Sequence, residues 1–212
     1  TNEEARARQD LFDLNRARPA PISGRDLVTI ASESEFAVDR MGAVALLDRV
    51  AADLARRGRA APNGSGPRIL LTGCPVGSEE GKVVDLVEQG GGALVAMENC
   101  GGYKTVENRI DENDPRDPMA LLAEKYLSIP CSVMTPNQGR LQLLERMVRD
   151  FAIDGVIDLT WQACHTYNVE SYWVADLVKN RLGLPFLHLE TNYSDADAET
   201  LRVRIEAFLE MT

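Results

Sequence analysis

The sequence predicts an α/β fold built on a four-stranded parallel sheet in the order 2-1-3-4, flanked by helices. Four short apolar runs are typical of buried strands, and they lie at 68–73, 93–98, 155–159 and 185–190. Helical patterns lie between these runs, and strands that alternate with helices form parallel sheets with right-handed crossovers. A segment rich in proline and glycine at 60–67 precedes the first strand. We therefore predict a Rossmann-like domain at 67–212 and a helical arm or inter-domain segment at 1–66.

Helical patterns also fill the arm. Residues 2–18 are charged and lack β-branched runs, and Pro19 stops the helix predicted there. A second helix is predicted after Ser23, whose hydroxyl suits the N-cap position. From about Phe36 to Arg57, apolar residues recur at helical spacing, which predicts a long amphipathic helix. The arm is expected to pack on the sheet layer or to reach a neighbouring subunit.

The helices of the sheet layer follow from the same spacing. They are predicted at about 78–89, 118–127, 136–151, 169–182 and 195–211. Thr135 and Pro136 suit the N-cap and the first position of the third of these helices. A short extended piece is predicted at 128–134, and the polar loop at 100–117 is long enough to suggest a function.

The composition argues against several classes of function. The formal net charge is −10, whereas nucleic-acid binding requires a concentrated positive surface, so no nucleic-acid partner is predicted. A small anionic ligand is not excluded, because it needs only local donors. No apolar run approaches the roughly 18 residues of a membrane span, and the first residues lack a signal-peptide pattern. We therefore expect a cytoplasmic protein without a membrane partner.

Three of the four cysteines stand where a predicted strand ends. Cys74 follows the first strand, Cys100 the second and Cys164 the third. Ligands bind at the carboxyl edge of an open parallel sheet, so these thiols are expected to gather in one crevice. The fourth cysteine, Cys131, lies in an irregular segment after Pro130. The spacings contain no C-x-x-C pair, which argues against a zinc ribbon or a thioredoxin motif.

The pattern alone leaves two interpretations of these thiols open. A free cysteine is usually a small buried hydrophobic residue, so each of the four could be structural. Thiolates also select zinc, copper(I) and iron–sulfur clusters, and the presence of only His165 and His188 as histidines favours an all-thiolate site. Two disulfides are allowed by the count, but a chain of 212 residues does not need them to hold a core.

Other polar residues at this edge are candidates for catalysis. His165 and Tyr167 lie just after the third strand and suit proton donors beside a redox site, and a hydrogen bond within the loop is the simpler role for His165. Glu98 ends the second strand and, if buried, needs a partner such as Lys104. The turn at 73–78 lacks the Walker lysine and serine and is therefore only a weak phosphate-binding signal.

Longer motifs around these residues resemble one protein family. They are Thr72-Gly73-Cys74-Pro75, Glu98-Asn99-Cys100-Gly101-Gly102-Tyr103-Lys104, Ile129-Pro130-Cys131-Ser132-Val133-Met134-Thr135-Pro136-Asn137, Gln162-Ala163-Cys164-His165-Thr166-Tyr167-Asn168-Val169-Glu170-Ser171 and Leu189-Glu190-Thr191-Asn192-Tyr193-Ser194. The chain resembles the C-terminal part of the family of 2-hydroxyacyl-CoA dehydratase D-components and benzoyl-CoA reductase subunits, and especially its double-cubane-cluster-protein branch. The resemblance is specific over about 67–210 and looser over 21–66.

This resemblance implies iron–sulfur chemistry. Members of the family hold a 4Fe-4S or double-cubane cluster on cysteines and receive a low-potential electron from a separate ATP-hydrolysing activator. The dehydratases then remove water from a 2-hydroxyacyl-CoA through a ketyl radical, and relatives reduce aromatic thioesters. The resemblance implies that four residues bind the cofactor: Cys164, Cys100, Cys131 and Cys74. The first three of these are the implied metal ligands. The candidate catalytic residues are His165, Tyr167 and Glu98.

We therefore predict an iron–sulfur-dependent dehydratase or reductase subunit, or a fragment of one. The resemblance implies an activator protein, an acyl-CoA substrate, and an N-terminal domain or second subunit that supplies further cluster cysteines, in a homo- or heterodimer. The cluster is expected to be partial or absent in this chain if those further cysteines are required. The alternative is a non-catalytic α/β interaction module with structural buried cysteines. Accessible thiols that iron protects favour the first hypothesis, and four unreactive thiols favour the second.

Overall fold

Four parallel strands form the central sheet. The computed structural model describes residues 2–58, 61–62 and 64–212, and within them one sheet has the order β2-β1-β3-β4. Its strands are β1 (Arg68–Gly73), β2 (Ala93–Met97), β3 (Gly155–Trp161) and β4 (Phe186–Thr191). All neighbouring strands pair in parallel. The predicted fold class, strand order and strand positions are therefore confirmed.

Helices surround this sheet. In chain order they are α1 (Asn2–Asp13), α2 (Gly24–Glu35), α3 (Arg40–Arg57), α4 (Lys82–Gln89), α5 (Pro118–Leu127), α6 (Gln138–Asp150), α7 (His165–Ala175) and α8 (Ala198–Leu209). A π-helical segment, Asp176–Arg181, continues α7, and 3₁₀ turns follow α1 and precede α8. None of the helices in the described part of the chain is long and apolar enough to cross a membrane.

The helices of the arm pack against the sheet layer. The first helix, α1, lies against α3, and α2 contacts both β2 and α4. Asn15 is fully buried behind α1, where its side-chain amide donates to the carbonyl oxygens of Ile22 and Val95. Of the predicted linker at 60–67, residues 60 and 63 lie outside the described residues. The division of the chain at residue 66 stays a prediction.

Capping side chains set several helix starts. Ser23 accepts a hydrogen bond from the backbone N–H of Asp26, which confirms its predicted N-cap role. The long helix predicted from about Phe36 begins instead at Arg40. The reason is that Asp39 accepts a hydrogen bond from the backbone N–H of Gly42 and so caps the helix four residues later than the apolar pattern suggests.

The segment between α5 and α6 differs from the prediction. Residues 128–134 form turns rather than an extended piece, and α6 starts at Gln138 rather than Pro136. The side chain of Asn137, just before α6, caps no helix N–H. It donates instead to the carbonyl oxygen of Cys131, at 2.8 Å, and to the carboxylate of Glu170, at 2.8 Å. Contacts to α7 therefore shape this segment more than local helix signals do.

Candidate functional site

Three cysteines lie around the start of α7, at the carboxyl edge of the sheet. Cys74 follows β1 directly, and its sulfur accepts a hydrogen bond from the backbone N–H of Trp161 at 3.4 Å. Cys100 follows β2, and its sulfur lies 3.8 Å from the hydroxyl oxygen of Tyr167. Cys164 is the residue immediately before α7. The ends of β1, β2 and β3 therefore bring these three thiols to one edge of the sheet, and a crevice that gathers them stays a prediction.

Cys164 has the environment of a reactive thiol. Burial by itself would raise the pKa of this thiol. The backbone N–H groups of Tyr167 and Thr166 and the hydroxyl of Thr166, whose oxygen lies 3.7 Å from the sulfur, outweigh burial and hold the pKa below its ordinary value. A helix N-terminus favours a thiolate in the same way, because its free N–H groups carry partial positive charge. The helix start at His165, four residues before the predicted one, creates this environment.

Cys74 differs from Cys164 although the two thiols interact. Only 2% of Cys74 is exposed, and burial raises the pKa of its thiol to about 12. Cys100 and Cys131 are half-buried, and all four cysteines are free of disulfides. Cys74 is therefore the least suited of the four to react in solution, whereas Cys164 is the most suited.

Alkylation rates are expected to separate these two thiols. At pH 8 iodoacetamide should modify Cys164 at least about 100-fold faster than Cys74, because the thiolate is the reacting form and Cys74 is both protonated and buried. Peptide mapping by mass spectrometry of the native protein measures both rates in one sample. Equal rates, or four thiols that all fail to react before unfolding, would contradict this assignment.

The remaining predicted residues lie at the same edge with different exposure. Cys131 is held near α7, because the hydroxyl of Ser132 donates to the hydroxyl of Thr166 at 3.2 Å. His165 is exposed at the first position of α7, and no hydrogen bond from its ring is found among the described residues. The hydrogen bond within the loop that was considered for His165 is therefore not observed there.

A cluster of buried charged groups lies beneath the thiols. Glu98 is fully buried, and one of its carboxylate oxygens accepts from the hydroxyl of Thr72 at 2.6 Å and from Arg140 Nε at 3.3 Å. Arg140, 1% exposed, also donates to Glu170 at 2.6 Å. Burial alone would raise the pKa of Glu98, but the charges of Arg140 and Lys104 hold it below its ordinary value. Glu98 is therefore an ionised carboxylate at neutral pH.

Lys104 connects this cluster to the thiols. Its ammonium lies 3.7 Å from the carboxylate of Glu98, which confirms the predicted pairing, and it donates to the hydroxyl of Tyr167 at 2.6 Å. Arg140 lies over the ring of the same tyrosine, 4.9 Å from its centroid. Burial, followed by the nearby charges of Glu98 and Cys100, raises the pKa of Tyr167. Tyr167 therefore keeps its proton, and Cys100 is its neighbour on the side of the thiols.

Asp158 is the least satisfied member of the cluster. It is fully buried on β3, and neither carboxylate oxygen has a hydrogen-bond partner in the described part of the chain. Its nearest cation is Arg140, at 3.8 Å. Burial raises the pKa of Asp158 to about 7, although Arg140 acts in the opposite direction.

Gly73 has a φ of +98°, and a Cβ there would collide with Asp158 and with a backbone carbonyl of β3. This position therefore requires glycine.

Sequence reasoning missed much of this cluster. Arg140 and Glu170 look like ordinary polar positions of amphipathic helices, and nothing local predicts that they meet. Asp158 carried a usable signal, since it interrupts the apolar run of β3. A carboxylate in a run that otherwise predicts full burial requires a partner, and that partner lies on another element.

A groove opens beside the cluster between the start of α6 and α7. It encloses about 340 Å³, and Arg140 and Glu170 form part of its wall. Most of the remaining lining is apolar, with Met134, Pro136, Val169 and Trp173 among the contributors. A ligand here would contact apolar side chains and a buried ion pair together.

Comparison with known proteins identifies the family. The model of the family described as 2-hydroxyglutaryl-CoA dehydratase, D-component, matches residues 1–212. The chain belongs to this family. A putative dehydratase subunit of Escherichia coli K12, YjiM, is 38% identical over 214 residues, which cover 99% of this chain and 55% of that protein. The chain thus spans about half the length of the curated relative it matches.

The thiols of this family member offer an incomplete set of metal ligands. In the described ranges no group of three histidine, cysteine, aspartate or glutamate side chains is arranged to hold a metal ion. Cys164 by itself fits a cluster ligand, because it is partly exposed and its pKa is lowered. Cys74 adjoins it, while Cys100 faces Tyr167. Cys164 is therefore suited to be one ligand of an iron–sulfur cluster, but the described residues do not provide a complete set of ligands.

Proposed function

We propose that this chain is a dehydratase-type subunit, or part of one, that removes water from a 2-hydroxyacyl-CoA at the carboxyl edge of its sheet. The observation that carries the proposal is the position of Cys164, a thiol of lowered pKa at the start of α7, three residues before Tyr167, whose hydroxyl accepts from the buried Lys104. Membership of the dehydratase family supports the same reaction class. Relatives in the resembled family reduce thioesters at the same kind of site. Reduction of a related thioester is therefore the alternative reaction under this proposal.

An iron–sulfur cluster is the cofactor that this proposal requires. Cys164 would hold it first, with Cys100 and Cys131 as further ligands, and the buried thiol of Cys74, with its raised pKa, would line the cluster pocket without ligating iron. Remaining ligands would come from another domain or a second subunit, because the described residues contain no complete set. A bound cluster would supply a low-potential electron, delivered by an ATP-dependent activator. A cytoplasmic location agrees with both components.

The residues of this chain would then handle protons and charge. The hydroxyl of Tyr167 accepts from the ammonium of Lys104, so its own proton is free to be donated toward the thiol side. His165, exposed beside Cys164, is a second proton donor or acceptor at this edge. Two buried cations, Lys104 and Arg140, would stabilise negative charge that develops on a substrate oxygen brought to this edge. Glu98 holds both cations in place.

One observation is also compatible with the alternative of an interaction module. Val169, Tyr172 and Trp173 on α7 are 57–69% exposed, which is unusual for neighbouring large apolar side chains. Such a surface suits a second subunit or a further domain. It agrees with a non-catalytic docking role as well as with a dimeric enzyme, so activity has to distinguish the two.

An anaerobic assay with a matched pair of tyrosine variants tests the proposed function. The protein, reconstituted with iron and sulfide and supplied with activator, ATP and a reductant, is incubated with 2-hydroxyglutaryl-CoA, and loss of water is followed by mass spectrometry. Y167F is expected to lower kcat by about 100-fold, the usual effect of losing a general acid. Y172F, on the exposed part of the same helix, should leave kcat within about twofold.

Two results would contradict the proposal. Absence of enoyl-CoA from the complete mixture, with an activator shown to hydrolyse ATP, would favour the interaction module. Equal activity of Y167F and the wild type would remove Tyr167 from the proton chemistry.

A further inference from the structure

A second cleft lies between the arm and the loop that follows β2. It encloses about 440 Å³ and is formed by α1, the end of α2, the start of α3, the loop at 105–106 and the end of α5. The charged side chains in its lining are Glu4, Arg8, Glu35, Arg40 and Lys125. None of these residues belongs to the site described above. The loop itself begins at Cys100, so one loop connects this cleft with the thiols.

Arg8 is a buried cation with unused hydrogen-bonding capacity. It is 5% exposed, and its Nη2 donates to the carbonyl oxygen of Gly101 at 3.0 Å. Its Nε has no hydrogen-bond partner among the described residues, and no ion pair of Arg8 is found there. Burial lowers the pKa of Arg8, while Glu35 and Glu4 act in the opposite direction. A guanidinium this buried, with one hydrogen bond, lacks the partners that usually offset its desolvation.

Lys125 is the second cation of the cleft without a partner. It is 9% exposed, and within the described ranges its ammonium forms neither a hydrogen bond nor an ion pair. Its ammonium lies 5.9 Å from the centroid of the Tyr126 ring. Burial lowers the pKa of Lys125, the charge of Glu4 acts in the opposite direction, and nearby Arg109 lowers the pKa further. The ammonium of Lys125, which has three N–H donors, thus lines the cleft with no hydrogen-bond acceptor among the described residues.

The acidic residues of the cleft neutralise these cations only in part. Glu4 is engaged by Arg40, whose Nη1 lies 2.9 and 2.7 Å from its two carboxylate oxygens. Glu35 is the other carboxylate, and it acts on Arg8 without a hydrogen bond. The cleft therefore carries one more cation than anion, in a chain with a net charge of −10. Local positive charge on an acidic protein suits the capture of a small anion.

We propose that this cleft binds a small oxyanion of the phosphate class, either free phosphate or the phosphate monoester group of a larger molecule, through Arg8 and Lys125. Arg8 supplies a planar donor group, and Lys125 supplies a point charge, a combination that suits phosphate oxygens. Arg8 also donates a hydrogen bond to the carbonyl oxygen of Gly101. An anion bound to Arg8 is therefore connected through that arginine to the loop that carries Cys100. This binding does not depend on the dehydratase proposal, since it needs neither a cluster nor an activator.

Calorimetric titration of the chain tests the site with four ligands at low ionic strength and pH 8. The ligands are inorganic phosphate, glycerol 3-phosphate, sulfate and acetate. One saturable site is expected for the phosphate ligands, with acetate bound at least about tenfold more weakly because it offers one negative charge and two oxygens. Tighter binding of glycerol 3-phosphate than of phosphate would identify a monoester as the natural ligand, and the reverse order would identify the free ion.

Matched variants assign the binding to the cleft. R8Q and K125Q are each expected to weaken phosphate binding by at least about tenfold, the usual loss for a charge-assisted hydrogen bond. R6Q is the control, because Arg6 lies on the same helix but is exposed and pairs with Asp10 and Asp48. If R8Q fails to fold, K125Q decides alone, since Lys125 lies on α5. Absence of saturation in the wild type, or equal weakening by R6Q, would overturn the proposal.

Discussion

Replacement of Arg140 by methionine is expected to lower the free energy of unfolding by about 3–5 kcal/mol, the usual cost of removing one partner from a buried ion cluster. Arg140 is 1% exposed and contacts Glu98, Glu170 and Thr72. Methionine fills a similar volume, so the loss reports charge and hydrogen bonding more than a cavity. Urea unfolding at pH 7 measures the change from the midpoint and slope.

The cost arises because two carboxylates would stay buried without their main cation. Glu98 would retain only Lys104, at 3.7 Å, and Asp158 would have no cation within 4 Å among the described residues. Removal of a charged partner leaves the full desolvation penalty of the remaining group. Strand β1 is fully buried, and so is β3 except for Trp161 at its end, so water cannot readily replace the guanidinium.

The pH dependence of this loss has a definite sign. The pKa of Asp158 is about 7 in the folded protein and about 3.9 in an unfolded chain, so its ionisation destabilises the fold as the pH rises through 4 to 7. Arg140 lowers the pKa values of both Asp158 and Glu98, and R140M therefore raises them. In the variant these carboxyls can take up protons at pH 5, which relieves the unpaired charge. The loss of stability should thus be smaller at pH 5 than at pH 8.

An exposed arginine on the same helix is the control. Arg146 pairs with Glu107 at 2.8 Å, but its side chain is 42% exposed. R146M should therefore cost less than about 1 kcal/mol and show little dependence on pH. A loss in R140M no larger than that in R146M would show that the cluster does not hold the fold together.

The sheet could be predicted because its determinants are local. Each strand of the inner pair is a mainly apolar run, interrupted in β3 by Asp158, and parallel sheets covered on both sides favour such runs. The placement of Cys74, Cys100 and Cys164 at one edge followed directly, since parallel strands share their carboxyl edge. Helix starts were less predictable, because side-chain contacts set them. Asn137 contacts Glu170 instead of capping α6, and α7 starts four residues before its apolar pattern does.

The charged cluster could not be predicted, because its members come from distant parts of the chain. Arg140 on α6 contacts Thr72 on β1, 68 residues earlier, and Glu170 on α7, 30 residues later. Neither contact leaves a periodic signal. Lys104 was the exception, because a buried glutamate at a strand end requires a nearby cation and the next loop contains one. The strand pattern thus identified Glu98, and its unmet charge identified Lys104, whereas Arg140, Asp158 and Glu170 were missed.

Loss of iron in C164S is the second large effect that we expect. The thiol of Cys164 has the lowered pKa and partial exposure that a cluster ligand requires, and serine cannot replace it as a soft donor. C74A is the comparison, because Cys74 is 2% exposed and its thiol has a pKa of about 12. C74A should retain most of the bound iron if Cys74 mainly fills space beside Cys164.

Iron and sulfide counting on the anaerobically purified protein, with the subunits that accompany it, tests the central claim most directly. Electron paramagnetic resonance of the dithionite-reduced sample then reports the cluster itself. Stoichiometric iron and sulfide with a cluster signal in the wild type, abolished in C164S and retained in C74A, is the predicted result. Absence of iron after reconstitution, or the same iron content in C164S and the wild type, would contradict the assignment of this sheet edge as a cluster site.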